Sequence, residues 1–155
     1  MMKKFLSLLL LAALLLTLTA CGGKKAAEPS VDLAAVMAQF NLDNENMMTL
    51  DLSDLEALYY VKPEDVKQSA AAIHVSGINC DEIILFEAVD SAAAGRLKTI
   101  LDNRYQAKLN EMRDYIAEQY AIIESCSVTA NGNFVAMIVS PDAANLVEIY
   151  NNSFK

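Results

Sequence analysis

The feature that most constrains the fold is a helical stripe of large apolar residues between positions 90 and 120. These side chains recur every three or four residues, which is the spacing of one face of an α-helix. The stripe consists of Leu97, Leu101, Tyr105, Leu109, Met112, Ile116 and Tyr120. Burying seven such side chains contributes on the order of 10–20 kcal/mol before opposing terms. We therefore predict one long helix packed on the core, with a bend or restart near Tyr115 as the alternative to an unbroken helix.

A first pair of strands precedes this helix. Residues 70–75 and 82–89 have strand-like composition and are joined across Gly77, Ile78 and Asn79, which suits a hairpin connection. Residues 83–86 are apolar at every position, so both faces of this strand are expected to be covered. The second strand of the pair is therefore predicted to lie in the interior of a sheet.

A second pair of strands follows the helix, at residues 125–129 and 134–139. The four residues between them, at positions 130–133, contain Asn131 and Gly132. Asn-Gly is the strongest short hairpin signal, because both residues accept a positive φ. We therefore predict a tight hairpin at this point.

Three shorter helices complete the predicted order. Residues 31–40 have helical apolar spacing, and Ser53 with Glu56 forms a capping-box pattern for a helix that ends before Pro63. Ser140 is the expected N-cap of the last helix, since Pro141 and Asp142 follow it. The apolar faces of the first and last helices are Leu33, Val36, Met37 and Phe40, and Ala143, Leu146, Val147 and Tyr150.

These elements predict a single α+β domain over residues 31–155. The expected core is a four-stranded, mostly antiparallel sheet in the order β-β-α-β-β-α, with the long helix packed on one face. Two short helices precede the sheet. No internal repeat beyond the β-β-α echo is visible in the sequence.

The N-terminus has the pattern of an export signal. Lys3 and Lys4 are followed by an apolar run at residues 5–18, and Leu18-Thr19-Ala20-Cys21 closes the segment. The run is shorter than the roughly 20 apolar residues that a spanning helix needs. This pattern resembles the lipobox of bacterial prolipoproteins, which implies cleavage after residue 20 and a diacylglyceryl group on the Cys21 thiol. An ordinary cleaved signal is the alternative.

Residues 21–30 are expected to form a flexible tether that carries the lipid on Cys21, because their Gly, Lys, Pro and Ser content cannot build a core. The domain beyond the tether is strongly acidic. Removing the charges of residues 1–30 from totals of 12 basic and 20 acidic residues leaves 8 and 19. The net charge of −11 argues against nucleic-acid binding, which depends on Lys and Arg.

Several segments also resemble one family of lipoproteins. The segments are Leu55, Leu58-Tyr59, Pro63-Glu64, residues 81–86, Tyr120, residues 132–135 and Ser140-Pro141-Asp142. In order and spacing they are similar to the lipoproteins grouped as domain of unknown function 4358, over roughly residues 33–150. The resemblance implies an envelope address but no established activity, so it supplies no catalytic residues.

Two cysteines and one histidine are the candidates for specific chemistry. Cys80 and Cys126 can form a disulfide in an exported protein or serve as small apolar residues in the core. Neither belongs to a Cys-x-x-Cys pair, which argues against redox chemistry. His74 alternates with Ile73 and Val75 on its strand, so we expect a surface or hydrogen-bonded histidine rather than a metal ligand.

Paired carboxylates are frequent, but no pair has the setting of a known catalytic motif. The oxygen-rich segment at residues 41–46 lacks the EF-hand pattern, and a cation site at residues 43–46 is the minor alternative to a solvated turn. The tyrosines have mostly core spacing, and Tyr60 is the one expected to be exposed. We predict no catalytic residue, no metal site and no cofactor.

The sequence therefore predicts a lipid-anchored surface protein on the extracytoplasmic face of the cell membrane. A non-enzymatic binding or interaction module is the leading hypothesis. A protein-binding subunit of an envelope complex is the alternative. The strands at residues 82–89 and 134–139 are apolar on both faces, so a partner protein could cover a sheet face that the chain itself leaves open. An envelope hydrolase ranks third and requires Asp or Glu side chains that converge on His74 in a deep pocket.

Overall fold

A computed structural model describes residues 31–43 and 45–155 of the chain. The predicted signal at residues 1–20, the tether at residues 21–30 and the lipidation site Cys21 lie outside the described residues. In chain order the elements are α1 Leu33–Gln39, β1 Met47–Leu50, α2 Leu52–Tyr59, a 3-10 turn Pro63–Asp65, β2 Val66–His74, β3 Glu82–Ala88, α3 Ser91–Met112, α4 Ala117–Glu124, β4 Ser127–Asn131, β5 Phe134–Val139 and α5 Ala143–Asn152.

The five strands form one antiparallel sheet in the order β1-β2-β3-β5-β4. The α+β class and the antiparallel sheet are confirmed, but the predicted count of four strands is wrong, and α1 alone, not two helices, precedes the first strand. The additional strand, β1, has only four residues and lies at one edge of the sheet. Its Met-Met-Thr-Leu sequence is too short to show an alternating pattern, so it has no recognisable sequence signal.

The middle strand of the sheet, β3, is buried at every residue. This confirms the prediction of an interior strand. On one face Ile84 and Phe86 pack with α3 through Leu97 and Leu101. Because alternate residues of a strand point to opposite faces, Ile83 belongs to a second core on the other side.

That second core is covered by the first and last helices. Leu33 and Val36 of α1 and Leu146 and Tyr150 of α5 pack with the apolar residues of β3 and β5. The sheet is thus covered on both faces by residues of the same chain. The uncovered face that would have favoured a protein-binding subunit is absent from the described part of the chain.

The long helix stops earlier than an unbroken stripe would predict. α3 ends at Met112, and α4 begins at Ala117 after a short turn in which Tyr115 is exposed. The alternative of a restart near Tyr115 is therefore confirmed. Leu97, Leu101 and Met112 are buried, while Tyr120 is half-buried on α4.

Two predicted helix caps are wrong by two residues. The capping box of α2 uses Asp51 and Asp54, not Ser53 and Glu56. The Asp51 carboxylate accepts the Asp54 N–H (3.0 Å), and the Asp54 carboxylate accepts the Asp51 N–H (2.9 Å). Asp and Ser are both good N-caps. Asp51 is the N-cap here because it directly follows β1 and keeps an extended backbone conformation.

The last helix shows the same kind of shift. The N-cap of α5 is Asp142 rather than Ser140. The Ser140 hydroxyl accepts the Asp142 N–H (3.2 Å), so the serine stabilises the turn before the helix.

The predicted hairpin between β4 and β5 is present, with its turn one residue later than the Asn-Gly pair indicated. Asn131 is the last residue of β4 and pairs with Phe134. Gly132 takes a positive φ of 57° as the first turn residue. Glycine accepts this conformation without steric cost.

Candidate binding groove

Two adjoining cavities lie beside α1, on the sheet face that α1 and α5 cover. The first, about 330 Å³, is lined by Met37, Ala38, Asn41, Leu42, Met47, Thr49 and Ala72. The second, about 320 Å³, is lined by Phe40, Asn41, Leu42, Asp43, Asn46, Met47, His74, Asn79, Asp81, Ser140, Asp142 and Leu146. They share Asn41, Leu42 and Met47, and we call the pair the groove.

A tight turn after α1 shapes the middle of the groove. Asn41 has a positive φ of 48°, a conformation in which Asn is enriched among non-glycine residues. The Asp43 carboxylate then accepts the Glu45 N–H (3.0 Å) and the Asn46 side-chain amide (2.7 Å). The Met47 N–H donates to the Asp43 carbonyl (2.8 Å), which sets the start of β1.

The cation site at residues 43–46, the minor alternative to a solvated turn, would fall on this turn. Its carboxylate is used by the two hydrogen bonds that hold the turn together, and Asn44 lies outside the described residues. Within residues 31–43 and 45–155, no group of three His, Cys, Asp or Glu side chains is placed to hold a metal ion. The oxygen-rich segment therefore has a structural role in shaping the groove.

The charged side chains that line the groove are all acidic. They are Asp43, Asp81 and Asp142, and no Lys or Arg is among the described lining residues. Hydrogen bonds from the Asn46 side chain and the Glu45 N–H hold the pKa of Asp43 below its ordinary value. Asp43 is therefore ionised at neutral pH, and the groove presents negative charge.

His74 lies at the end of β2, beside these carboxylates. Its backbone N–H donates to the Asp81 carbonyl (3.0 Å), and its side-chain Nδ1 accepts the backbone N–H of Ser76 (2.9 Å). The prediction of a hydrogen-bonded histidine is thus confirmed. Because Nδ1 is an acceptor, the proton of the neutral ring is on Nε2.

The cavity around His74 partly matches what the hydrolase hypothesis required. Asp43, Asp81 and Asp142 do lie near His74. A general acid in such a site needs a raised pKa, however, and the pKa of Asp43 is lowered. Asp43 is therefore not suited to the role of a general acid.

The two remaining cysteines are free thiols in this structure. Cys80 is fully buried, and burial together with the charge of Asp81 raises its pKa to about 11. The Cys126 thiol donates to the Ile122 carbonyl (3.1 Å). Both side chains pack in the core on the α3 side of the sheet, as the apolar-residue interpretation expects.

A buried ionic cluster lies on the α3 side of β3 and was not found by sequence reasoning. Glu82 is 2% exposed and accepts hydrogen bonds from Arg104 (2.7 Å) and Lys108 (2.9 Å). Arg104 also lies over the Tyr59 ring, 5.9 Å from its centroid. The sequence did contain a signal for this cluster. Arg104 and Lys108 are three and seven residues after Leu101, so they lie on the same face of the helix as that core residue.

A second polar cluster ties the start of the domain to the sheet. The Gln68 side chain accepts the Leu33 N–H (3.0 Å) and donates to the Val31 carbonyl (2.6 Å). It also donates to Glu87, which pairs with Lys67. Val31 is thus held near the first residues of β2, whereas the groove reaches His74 at the last residue of that strand.

Tyr60 is exposed, as predicted, with 84% of its surface accessible. It ends α2 in the left-handed region, with a φ of 59°. Tyr59, its neighbour in sequence, is half-buried against the ionic cluster.

A family comparison identifies the relatives of the chain. The family model described as "Domain of unknown function (DUF4358)" matches residues 41–140, which is more than half of the chain. No curated protein and no solved structure matches the chain. Among the described residues, no helix has the length and apolar character needed to cross a membrane.

Proposed function

We propose that this chain, which belongs to the DUF4358 family, is a membrane-anchored, non-enzymatic binding module of the cell envelope. Its groove would select cationic ligands over anionic ones. The observation that carries the proposal is the pair of adjoining cavities whose charged lining residues are Asp43, Asp81 and Asp142. Carboxylates of one sign that line a cleft attract cations and repel anions.

The distribution of basic residues supports this selectivity. Lys67, Arg96 and Arg104 pair with Glu87, Asp65 and Glu82, and none of these three pairs includes a carboxylate of the groove. None of the ion pairs formed among residues 31–43 and 45–155 includes Asp43, Asp81 or Asp142, so no such pair offsets the charge of the groove.

The membrane anchor is supported by the sequence of residues 1–21. Val31, where the described chain begins, lies near the opposite end of β2 from the His74 part of the groove. Val31, at which the predicted tether would join the domain, is therefore distant from the His74 part of the groove. One lipid chain gives marginal anchoring and two give stable anchoring, so a diacylated Cys21 would suffice.

The groove is tested by calorimetric titration of the full chain, solubilised in detergent, with spermine and with citrate. We expect spermine to bind and citrate not to bind. In the double variant Asp43→Asn, Asp81→Asn the affinity for spermine should fall at least about tenfold, equivalent to about 1.4 kcal/mol. The matched control Asp114→Asn, Glu118→Gln loses the same net charge outside the groove and should change the affinity less than about twofold. Equal losses of spermine affinity in both variants would show that net charge alone, and not the groove, accounts for the binding.

The anchor is tested by labelling cells with a fatty-acid analogue. The wild-type chain should incorporate the label and sediment with membranes, while Cys21→Ala should do neither. Label that persists in Cys21→Ala would contradict the proposed anchor without affecting the groove.

A further inference from the structure

We propose that the ligand of the groove is an extended peptide with basic side chains, which pairs with the free edge of β1 as a sixth strand. This inference rests on the proposed binding function and names the class of partner. It is carried by three features that meet at β1: unpaired backbone groups, a cavity beside the strand and carboxylates at both of its ends.

The first feature is the outer edge of β1. In an antiparallel pair, residues alternate between those bonded to the neighbouring strand and those whose N–H and C=O groups point away from it. The Val75 N–H donates to the Asn46 carbonyl (2.8 Å), so positions 46, 48 and 50 bond toward β2. The backbone groups of Met47 and Thr49 therefore point outward.

Within residues 31–43 and 45–155, one of these outward groups has a backbone hydrogen-bond partner. The Met47 N–H is taken by the Asp43 carbonyl. Outside the sheet ladder, no backbone hydrogen bond in the described part of the chain uses the Met47 carbonyl or either backbone group of Thr49. One donor and two acceptors are thus available to an added strand.

β1 has one common protection of an edge strand, its length of only four residues, but it lacks Lys, Pro and a bulge. Natural edge strands are commonly blocked by Lys, Pro, a bulge or a covering element. β1 contains neither Lys nor Pro, and its register with β2 is regular over all four residues. Thr49 is exposed to solvent.

The second feature is the cavity next to this edge. Met47 and Thr49 point their side chains to the same face of the sheet, because they are two residues apart. Both line the 330 Å³ cavity together with Met37 and Leu42. A strand added outside β1 would place alternate side chains on this face, where an apolar side chain fits the cavity.

The third feature is charge, and it selects the partner. Asp43 and Glu45 precede β1, and Asp51 and Asp54 follow it. Hydrogen bonds from the Ser53 hydroxyl and the Asp54 N–H lower the pKa of Asp51, so carboxylates at both ends of the strand are ionised at neutral pH. Basic side chains on the added strand would complement them.

The same charges argue against a second copy of this chain as the occupant. Pairing two β1 edges would bring these carboxylates together in domains that each carry a net charge of −11. Like charges placed across an interface cost several kcal/mol.

The inference is tested by fluorescence anisotropy with the full chain in detergent and end-blocked octapeptides. The first peptide alternates valine and lysine, and the second alternates valine and glutamate. We expect the lysine peptide to bind at least about tenfold more tightly than the glutamate peptide. Two N-methylated forms of the lysine peptide, one methylated at the valine amides and one at the lysine amides, test strand pairing. Alternate amides face opposite edges, so one form should retain binding and the other should lose it.

Two variants locate the pairing edge. Thr49→Pro removes the outward N–H of β1 and should lower peptide affinity at least about tenfold, while the fold tolerates a proline whose N–H position faces away from the sheet. Ala130→Pro makes the same change at the outer edge of β4 and should leave the affinity within about twofold. Unchanged thermal unfolding of both variants by circular dichroism shows that each one is folded.

Each remaining outcome has a distinct meaning. Spermine binding without peptide binding would overturn the peptide inference and leave the proposed function in place. No binding of either probe would overturn both. Equal binding of the two methylated peptides, or dimerisation that Thr49→Pro abolishes in sedimentation, would also overturn the inference.

Discussion

The buried carboxylate of Glu82 pairs with two basic side chains, Arg104 and Lys108, on the α3 side of the sheet. Burial alone would raise the pKa of Glu82, but hydrogen bonds from Arg104 and the charges of Lys108 and Arg104 outweigh it and lower the pKa. Lys108 is only 5% exposed, so it depends on this carboxylate for compensation. An uncompensated buried charge is far more costly than a lost surface pair.

We therefore expect Glu82→Gln to lower the free energy of unfolding by about 3–5 kcal/mol, because Lys108 would be left buried and poorly paired. Asp102→Asn is the matched control. It breaks an exposed pair with Lys98 and should cost less than about 1 kcal/mol. Urea unfolding of both variants measures the difference, and similar losses would contradict the special role of Glu82.

Two glycines with open space around them should respond oppositely to the same substitution. Nothing lies within 4 Å of a Cβ added at Gly95 or at Gly132, so only the backbone decides the outcome. Gly95→Ala, inside α3, should raise the free energy of unfolding by about 0.5–1 kcal/mol. Gly132→Ala should lower it by about 1 kcal/mol, because the turn requires a positive φ. Thermal unfolding of the pair measures both signs.

Among the secondary-structure elements, α5 is one of the two helices that cover the second face of the sheet. Leu146 of this helix is buried in the core with Ile83 and Leu85. We expect Leu146→Ala to cost about 2–5 kcal/mol through lost burial and a residual cavity. Leu58→Ala, at a position 54% exposed on α2, should change stability by less than about 0.5 kcal/mol. Equal effects in chemical unfolding would indicate that α5 does not contribute to the core.

The whole molecule should be stable between an acid limit and an alkaline limit. The pKa values of Asp43, Asp51, Asp65 and Glu82 are all lowered by folding. The unfolded chain therefore binds more protons in acid, and stability falls with pH below about 4.5, the ordinary pKa of a glutamate. At the alkaline side, burial raises the pKa of Cys80 to about 11 and that of Tyr150 to about 12.

The alkaline limit follows from the sign of these last two shifts. A raised pKa of an acid group means that the folded state keeps its proton longer, so stability is lost as the pH rises above the ordinary cysteine value of 9.0. Urea unfolding between pH 3 and pH 11 should give a dome. Cys80→Ala should flatten its alkaline side, and an unchanged alkaline slope in that variant would contradict the assignment to the thiol.

The sequence by itself determined the elements whose signal is local and repeated. The stripe from Leu97 to Met112 predicted α3, and the unbroken apolar run at residues 83–86 predicted an interior strand. Tyr60 and His74 were also placed correctly, because alternation and helix spacing decide which face a side chain takes. These features depend on neighbours in the chain, which the sequence displays.

Only the tertiary structure decided where those elements meet. β1 is too short to have a pattern of its own, and it is defined by pairing with residues 71–74. The groove joins residues from α1, β1, β2, the β2–β3 connection and the start of α5, and its lining extends from Met37 to Leu146, 109 positions apart in the chain. The partnership of Glu82 with Lys108 spans 26 residues. Such contacts depend on how the layers pack, and the order of residues along the chain does not encode them in any local pattern.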